Sequence, residues 1–244
     1  MDIDQNDAGG WYNRGIALGK SGRYEEALKS YDKAIELSLH NYYSYRDPKL
    51  AITWTNKGNT LGKLGKYQEA IEYYDKALEL DPKYVNAWNN KGATLDKLGR
   101  HEEAIKYFDK AIELDPNNAG AWTSKGLALG NLGRHEEAIE CHNEALDIDQ
   151  NYVTAWGNKG DALYDLGKYQ EAIEYYDKAL ELDPKFVNAW NNKGATLDKL
   201  GRYEEAIKCC DKAIELNPND AMRYNKLKDF ILERLRKAKN KAGV

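Results

Sequence analysis

The sequence has 244 residues with 36 basic and 40 acidic side chains, and its formal net charge is −4. A chain with this acidic balance lacks the concentrated basic surface that phosphate recognition needs, so we expect no nucleic-acid partner. Charged residues make up 31% and hydrophobic residues 42% of the chain, which is typical of a soluble, folded protein.

The three cysteines, Cys141, Cys209 and Cys210, provide no disulfide framework, and a reducing compartment is the simpler interpretation. The first four residues contain neither a basic nor an apolar stretch, so no signal peptide is predicted. No window of the sequence approaches the roughly 20 apolar residues of a membrane span. We therefore expect a cytoplasmic protein that does not insert into a membrane.

Six tryptophans lie at regular intervals and mark an internal repeat. The interval is 43 residues from Trp11 to Trp54 and 34 residues for each later pair. When tryptophan is the fourth residue of a 34-residue unit, every unit has glycine at positions 8 and 15 and alanine at positions 20 and 27. Residues 1–7 are predicted to be the end of a preceding repeat, and residues 221–244 a basic capping helix with its tail. The six repeats lie between them, and the first contains a nine-residue insertion. Their bounds are 8–50, 51–84, 85–118, 119–152, 153–186 and 187–220.

Each unit is predicted to be a pair of helices. In the first helix, positions 4, 8 and 11 share one face because they are spaced i, i+4 and i+7. Glycine at position 15 ends this helix, and glycine at position 8 with alanine at position 20 lets the two helices approach closely. The second helix begins with acidic residues, which suit the helix dipole, and ends before a proline in every unit except the fourth, which has Gln150. One pair cannot bury its apolar face alone, so stacked pairs supply the core.

This pattern resembles the tetratricopeptide repeat family over about residues 8 to 244. The resemblance implies an all-α fold, a right-handed superhelical α-solenoid of six helix hairpins plus a C-terminal capping helix, with first helices lining a concave groove. The chain departs from the family at position 7, usually leucine. We expect the stems of the basic side chains found there to cover the tryptophan face and their charged ends to reach water. These side chains are Arg14, Lys57, Lys91, Lys125, Lys159 and Lys193.

The first unit contains nine extra residues within 37–46, and the last segment is basic. In the first unit we predict a longer second helix followed by a loop. Three tyrosines and an arginine in the insertion either form a recognition surface or pack on the neighbouring hairpin. In the last segment, one apolar stripe on a basic helix indicates a solenoid cap, and the alternative interpretation is that its lysines and arginines bind nucleic acid or anionic lipid. The stripe consists of Tyr224, Leu227, Ile231 and Leu235.

No set of residues indicates catalysis, a cofactor or a metal site. Residues 15–21 resemble a phosphate-binding loop, but Arg14 occupies the place of its first glycine and no strand precedes it. The His-Glu pairs at His101 and His135 lack the second histidine of a zinc-protease helix. At interior positions 23 and 24 we expect small core residues rather than ligands. The residues concerned are Cys141, His142, Cys209 and Cys210.

The resemblance places positions 2, 5, 6, 9, 12 and 13 of each first helix on the concave face. Position 6 is asparagine in all units but the fourth, and its amide offers a donor and an acceptor to the main chain of an extended peptide. The other interpretation is that these asparagines are solvated or bond between repeats. In the fifth unit, Asp161, Tyr164 and Asp165 form an acidic, aromatic patch suited to a basic side chain. The predicted peptide-binding residues are Asn13, Asn56, Asn59, Lys63, Asn89, Asn90, Lys97, Asn158, Asp161, Tyr164, Asn191, Asn192 and Lys199.

The predicted function is that of a non-enzymatic scaffold that binds an extended peptide or a partner helix in its groove. One alternative is a self-assembling array that associates through the open ends of the solenoid. The other is the regulatory segment of a larger enzyme, which the half-repeat at residues 1–7 suggests.

Overall fold

The computed structural model describes residues 6–40 and 48–242, and every regular element in this part of the chain is helical. A short 3-10 helix, Pro218–Asp220, precedes the last α-helix. The α-helices are α1 (Ala8–Lys20), α2 (Tyr24–His40), α3 (Pro48–Lys63), α4 (Tyr67–Leu80), α5 (Val85–Lys97), α6 (His101–Leu114), α7 (Ala119–Asn131), α8 (His135–Ile148), α9 (Val153–Asp165), α10 (Tyr169–Leu182), α11 (Val187–Lys199), α12 (Tyr203–Leu216) and α13 (Ala221–Ala242).

The chain divides into two compact units, Met1–Ala128 and Leu129–Val244. In the first unit, α1 pairs with α2, α3 with α4 and α5 with α6, while α2 packs on α3 and α4 on α5. In the second unit, α9 pairs with α10 and α11 with α12, α8 packs on α9 and α10 on α11, and α13 covers α12. These are the helix hairpins of the predicted all-α solenoid, so the predicted fold class is confirmed.

Glycine at position 8 of a first helix makes room for an aromatic ring of the second helix. A Cβ atom on Gly58 would lie 2.7 Å from the ring of Tyr74, and one on Gly160 would lie 2.6 Å from the ring of Tyr176. Both rings stand at position 24 and are buried. The close approach predicted from the glycine is confirmed, and the group that needs the space is the ring at position 24.

Glycine at position 15 ends each first helix in the left-handed region of backbone space. The φ angles of these glycines are between +73° and +77°, a range that a residue with a Cβ rarely adopts. After α3, the amide of Lys66 donates to the carbonyl of Leu61 at 2.9 Å across Gly65, which closes the turn. The predicted helix end is therefore confirmed.

In the third to sixth repeats, the tryptophan at position 4 bonds to the loop before its helix. The Nε1 atom of Trp88 donates to the carbonyl of Pro82 at 2.9 Å, and that of Trp156 donates to the carbonyl of Gln150 at 2.8 Å. Because the acceptor belongs to the backbone, the fourth repeat keeps this bond although it has glutamine in place of proline.

The first repeat has a longer second helix, as predicted, since α2 has 17 residues and α4 has 14. The rest of the tyrosine-rich insertion, residues 41–46, lies outside the described residues. The next helix, α3, begins at Pro48, before the repeat count starts the second unit at Ala51. The fixed φ angle of proline suits the first turn of a helix, which accounts for this earlier start.

The basic side chains at position 7 differ in exposure: Arg14 is exposed and lies 5.1 Å from the ring centroid of Trp11, as expected, whereas Lys57 and Lys91 are buried. Lys57 and Lys91 are each only 7% exposed, and their ammonium groups pair with Asp32 and Asp75 of the preceding second helices. The ammonium of Lys57 also lies 4.1 Å from the ring centroid of Tyr73. For these two lysines the expectation was wrong, because the preceding repeat supplies a carboxylate at position 25, which holds the ammonium within the interface between repeats.

Candidate functional site

Two adjoining clefts lie between consecutive first helices of the first unit. The α1/α3 cleft has a volume of about 280 Å³ and the α3/α5 cleft about 290 Å³. Asn59 and Lys63 line both clefts, so the two form one track along three repeats. The α1/α3 cleft is lined by Ile16, Gly19, Lys20, Tyr24, Tyr31, Asn56, Asn59, Thr60 and Lys63. The α3/α5 cleft is lined by Asn59, Gly62, Lys63, Tyr67, Tyr74, Asn90, Ala93, Thr94 and Lys97.

The floor of each of these clefts is a tyrosine from position 24 of the second helix. The hydroxyl of Tyr74 donates to Oδ1 of Asn59 at 2.8 Å, so the carbonyl of this amide is engaged and its NH₂ group is the part left for a ligand. Burial raises the pKa of Tyr31 and of Tyr74 to about 12, so both hydroxyls stay protonated.

The rim of these clefts carries three lysines, all at position 13 of their helices. Lys20, Lys63 and Lys97 are exposed, and none of them pairs with a carboxylate in the described part of the chain. In contrast, Lys57 and Lys91 at position 7 are buried, and each pairs with a carboxylate. The first helices of the first unit therefore carry lysines of two kinds, buried ones that join repeats and exposed ones on the rim of the clefts.

A third cleft, the α9/α11 cleft, lies in the second unit and has a volume of about 300 Å³. Oδ1 of Asp161 accepts hydrogen bonds from the hydroxyl of Tyr176 and from Nδ2 of Asn192, each at 2.7 Å. Burial raises the pKa of Asp161 above its ordinary value, although these two bonds oppose the shift. The cleft is lined by Asp161, Tyr164, Asp165, Tyr176, Asn192 and Ala195.

The α3/α5 and α9/α11 clefts have the same construction and opposite charge. Positions 9 and 13 are Asn59 and Lys63 in the second repeat, whereas they are Asp161 and Asp165 in the fifth. The tyrosine of the cleft floor donates to the position-9 side chain in both repeats. The chemistry of a cleft is therefore decided by two side chains on a common frame.

Comparison with known proteins agrees with this architecture. Four family models, each described as "Tetratricopeptide repeat", match residues 7–83, 55–119, 107–140, and both 153–186 and 187–220. The chain is a member of the tetratricopeptide repeat family. A search of curated protein sequences finds no match.

Several solved structures resemble this tetratricopeptide repeat protein. MamA is 27% identical over 70% of this chain and 94% of its own, with a TM-score of 0.56. YrrB, described as a TPR protein with an unusual peptide-binding site, is 28% identical over 83% of this chain and 99% of its own, with a TM-score of 0.56. The Cut9–Hcn1 structure shares only the fold, at 20% identity over 93% of this chain and 43% of that chain, with a TM-score of 0.77.

The asparagines at position 6, on which the predicted groove rests, differ in their surroundings. Nδ2 of Asn56 donates to the hydroxyl of Tyr12 in the preceding repeat at 3.1 Å, and Asn192 bonds to Asp161. These two amides bond between repeats, which was the other interpretation of the pattern. Asn13 is exposed, and Asn90 lines the α3/α5 cleft.

Eight of the thirteen predicted site residues line the three clefts, and five do not. Nδ2 of Asn191 donates to Oδ1 of Asn192 at 3.0 Å, and Oδ1 of Asn89 is buried with no hydrogen-bond partner among the described residues. The predicted residues that line a cleft are Asn56, Asn59, Lys63, Asn90, Lys97, Asp161, Tyr164 and Asn192. The predicted residues outside the three clefts are Asn13, Asn89, Asn158, Asn191 and Lys199.

Sequence reasoning missed Lys20 and the tyrosines that form the cleft floors. The signal for Lys20 was available, because it stands at position 13 in register with Lys63 and Lys97. The signal for the floor was the aromatic column at position 24 of the second helices, which includes Tyr31 and Tyr74. Only the structure shows that tyrosines of this column line the clefts between the first helices.

The residues at positions 23 and 24 that were predicted to be core residues are buried. Burial raises the pKa of Cys209 to about 11 and that of Cys210 to about 12, so both thiols stay protonated and unreactive. The described residues contain no group of three or more histidine, cysteine, aspartate or glutamate side chains placed to hold a metal ion. No helix in the described ranges has the length and apolar character needed to cross a membrane.

Proposed function

We propose that this tetratricopeptide repeat protein is an interaction scaffold that binds an extended peptide along the first helices of its first unit. The observation that carries the proposal is the track formed by the α1/α3 and α3/α5 clefts, which share Asn59 and Lys63. Two linked clefts of about 280 and 290 Å³ suit successive side chains of an extended chain better than one compact ligand.

The polar groups of the track support a peptide as the occupant. The free NH₂ group of Asn59 donates to a peptide carbonyl, and Asn90 on the facing helix offers a second amide. In this proposal Asn56 and Asn192 hold repeats together, so the asparagine ladder acts on the peptide through only some of its members. The similarity to YrrB, described as a peptide-binding TPR protein, favours the same class of partner.

Filling the α3/α5 cleft tests this proposal. Gly62 lines the cleft, and a Cβ added there meets nothing within 4 Å, so Gly62→Phe projects a ring into the cleft without disturbing the core. We expect peptides selected from a random displayed library on the wild-type chain to lose binding to the variant. The control is Glu72→Phe on the outer surface of α4, which adds the same ring elsewhere. Equal binding to wild type and Gly62→Phe would contradict the proposal.

A further inference from the structure

We propose that the track of the first unit selects peptides by their acidic side chains, which Lys20, Lys63 and Lys97 bind. This inference rests on the proposed function and names the chemistry of the partner. The ligand is an extended peptide segment carrying aspartate or glutamate at intervals, and its terminal carboxylate is not required.

The first argument is the pairing of the lysines. Lys57 and Lys91 at position 7 each have a carboxylate from the preceding repeat. The lysines at position 13 have none in the described residues, although the chain has more acidic than basic side chains. Three unpaired ammonium groups in one row leave positive charge that a carboxylate from outside the chain is suited to neutralise.

The second argument is the composition of the cleft walls. The linings of the α1/α3 and α3/α5 clefts contain no aspartate or glutamate, so nothing in the walls repels a bound carboxylate. Asn59 presents its NH₂ group because Tyr74 occupies its carbonyl, and this adds a neutral donor beside Lys63. Lysine and amide donors around an opening free of carboxylates form an anion-binding set.

The third argument is the contrast with the second unit. The α9/α11 cleft has Asp161 and Asp165 where the α3/α5 cleft has Asn59 and Lys63, on the same tyrosine-floored frame. The α9/α11 cleft therefore repels an acidic peptide, and the α3/α5 cleft attracts it. The molecule therefore contains its own comparison site, which matches in shape and differs in charge.

The test uses labelled peptides with amidated C-termini in which serine alternates with glutamate, lysine or glutamine. Fluorescence anisotropy with the full chain should show tightest binding of the glutamate peptide, and the binding should weaken as salt rises. The triple variant Lys20→Gln, Lys63→Gln, Lys97→Gln should bind it roughly eight- to one-hundred-fold more weakly, since one exposed ion pair contributes roughly two- to five-fold and three such factors multiply. The control is Lys29→Gln, Lys83→Gln, Lys106→Gln, which makes the same change in net charge at exposed lysines outside the clefts.

Three outcomes would overturn the inference. They are glutamate and glutamine peptides that bind equally, a triple variant that matches wild type, and single-stranded nucleic acid that displaces the glutamate peptide as well as unlabelled peptide does. The last would mean a general polyanion site. The Gly62→Phe variant separates the two proposals. If Gly62→Phe loses peptide binding while the Lys20, Lys63 and Lys97 triple variant binds as wild type does, the proposal of a peptide track stands and only the preference for acidic peptides fails.

Discussion

At the scale of single residues, two glycines of α3 have opposite surroundings. Gly58 faces the ring of Tyr74, which a Cβ would meet at 2.7 Å, whereas a Cβ on Gly62 would meet nothing within 4 Å. We expect Gly58→Ala to lower the free energy of unfolding by about 1–3 kcal/mol, because the buried ring must move. Gly62→Ala should raise it by about 0.5 kcal/mol, because alanine loses less conformational entropy in a helix. Urea unfolding of both variants checks the pair, and equal effects would mean that the ring does not need the space.

His142 is a second residue-scale feature, and it links stability to pH. It is only 1% exposed, and its Nδ1 atom has no hydrogen-bond partner in the described part of the chain. Burial, with a smaller contribution from Lys159, lowers its pKa from 6.5 to about 4. The unfolded chain therefore binds a proton that the folded chain excludes, so this contribution to stability is complete above pH 6.5 and is lost as pH falls towards 4.

Between pH 6.5 and pH 4, the titration of His142 lowers the free energy of unfolding by about 3 kcal/mol. The variant His142→Phe, which introduces the residue that the third repeat has at this position, should remove this part of the pH dependence. Chemical unfolding at several pH values between 4 and 7 measures it as the difference between wild type and variant. The control His40→Gln, at an exposed histidine, should keep the wild-type slope. Parallel curves for wild type and His142→Phe would show that the histidine does not titrate on unfolding.

At the scale of elements, ion pairs join four second helices to the next first helix, as Asp75 of α4 pairs with Lys91 of α5. Burial lowers the pKa of Lys91, but its bonds to Asp75 and Tyr107 outweigh this effect, and the pKa lies above its ordinary value. The interface between α8 and α9 differs, because position 25 is Asn143 there and Lys159 lies 4.1 Å from the ring centroid of Tyr175. This interface therefore has the aromatic contact and lacks the carboxylate.

Two opposite substitutions test these pairs. Asp75→Asn should cost about 1–2 kcal/mol of unfolding free energy, because it leaves the buried ammonium of Lys91 without a charged partner. Asn143→Asp should add about 0.5–1 kcal/mol by giving Lys159 the carboxylate that the other repeats have. Thermal and urea unfolding measure both effects. A stabilising Asp75→Asn would mean that the desolvation of the pair outweighs its attraction.

The bounds of the helices could be predicted from the sequence with few errors, whereas the contacts of their polar residues could not. Glycine at position 15 and proline after each second helix act on their own backbone, so Gly65 and Pro82 mark helix ends without knowledge of the fold. The state of Lys57 depends on Asp32, 25 residues away in the preceding repeat, and position-7 lysines were expected in water. Asn56 lines the α1/α3 cleft, but its bond to Tyr12 could not be predicted, because the spacing of a repeat gives no orientation for a side chain.

At the scale of the whole molecule, one repeat frame carries clefts of different charge. The track of the first unit has exposed lysines at position 13, and the cleft of the second unit has Asp161 and Asp165. The helical frame depends on glycine, alanine and aromatic positions that recur in the repeats, so it tolerates exchange at positions 9 and 13. Binding preference can therefore change between repeats without a change of fold.

Cross-linking of a bound acidic peptide tests the central claim most directly. A photoreactive residue placed in the serine–glutamate peptide should cross-link to residues of α3 and α5 around Gly62, Lys63 and Lys97. Mass spectrometry then maps the cross-linked residues. The Gly62→Phe variant should abolish these cross-links. Cross-links that fall instead on α9 and α11, or on the outer surfaces of the second helices, would contradict the proposal that an acidic peptide lies in the track of the first unit.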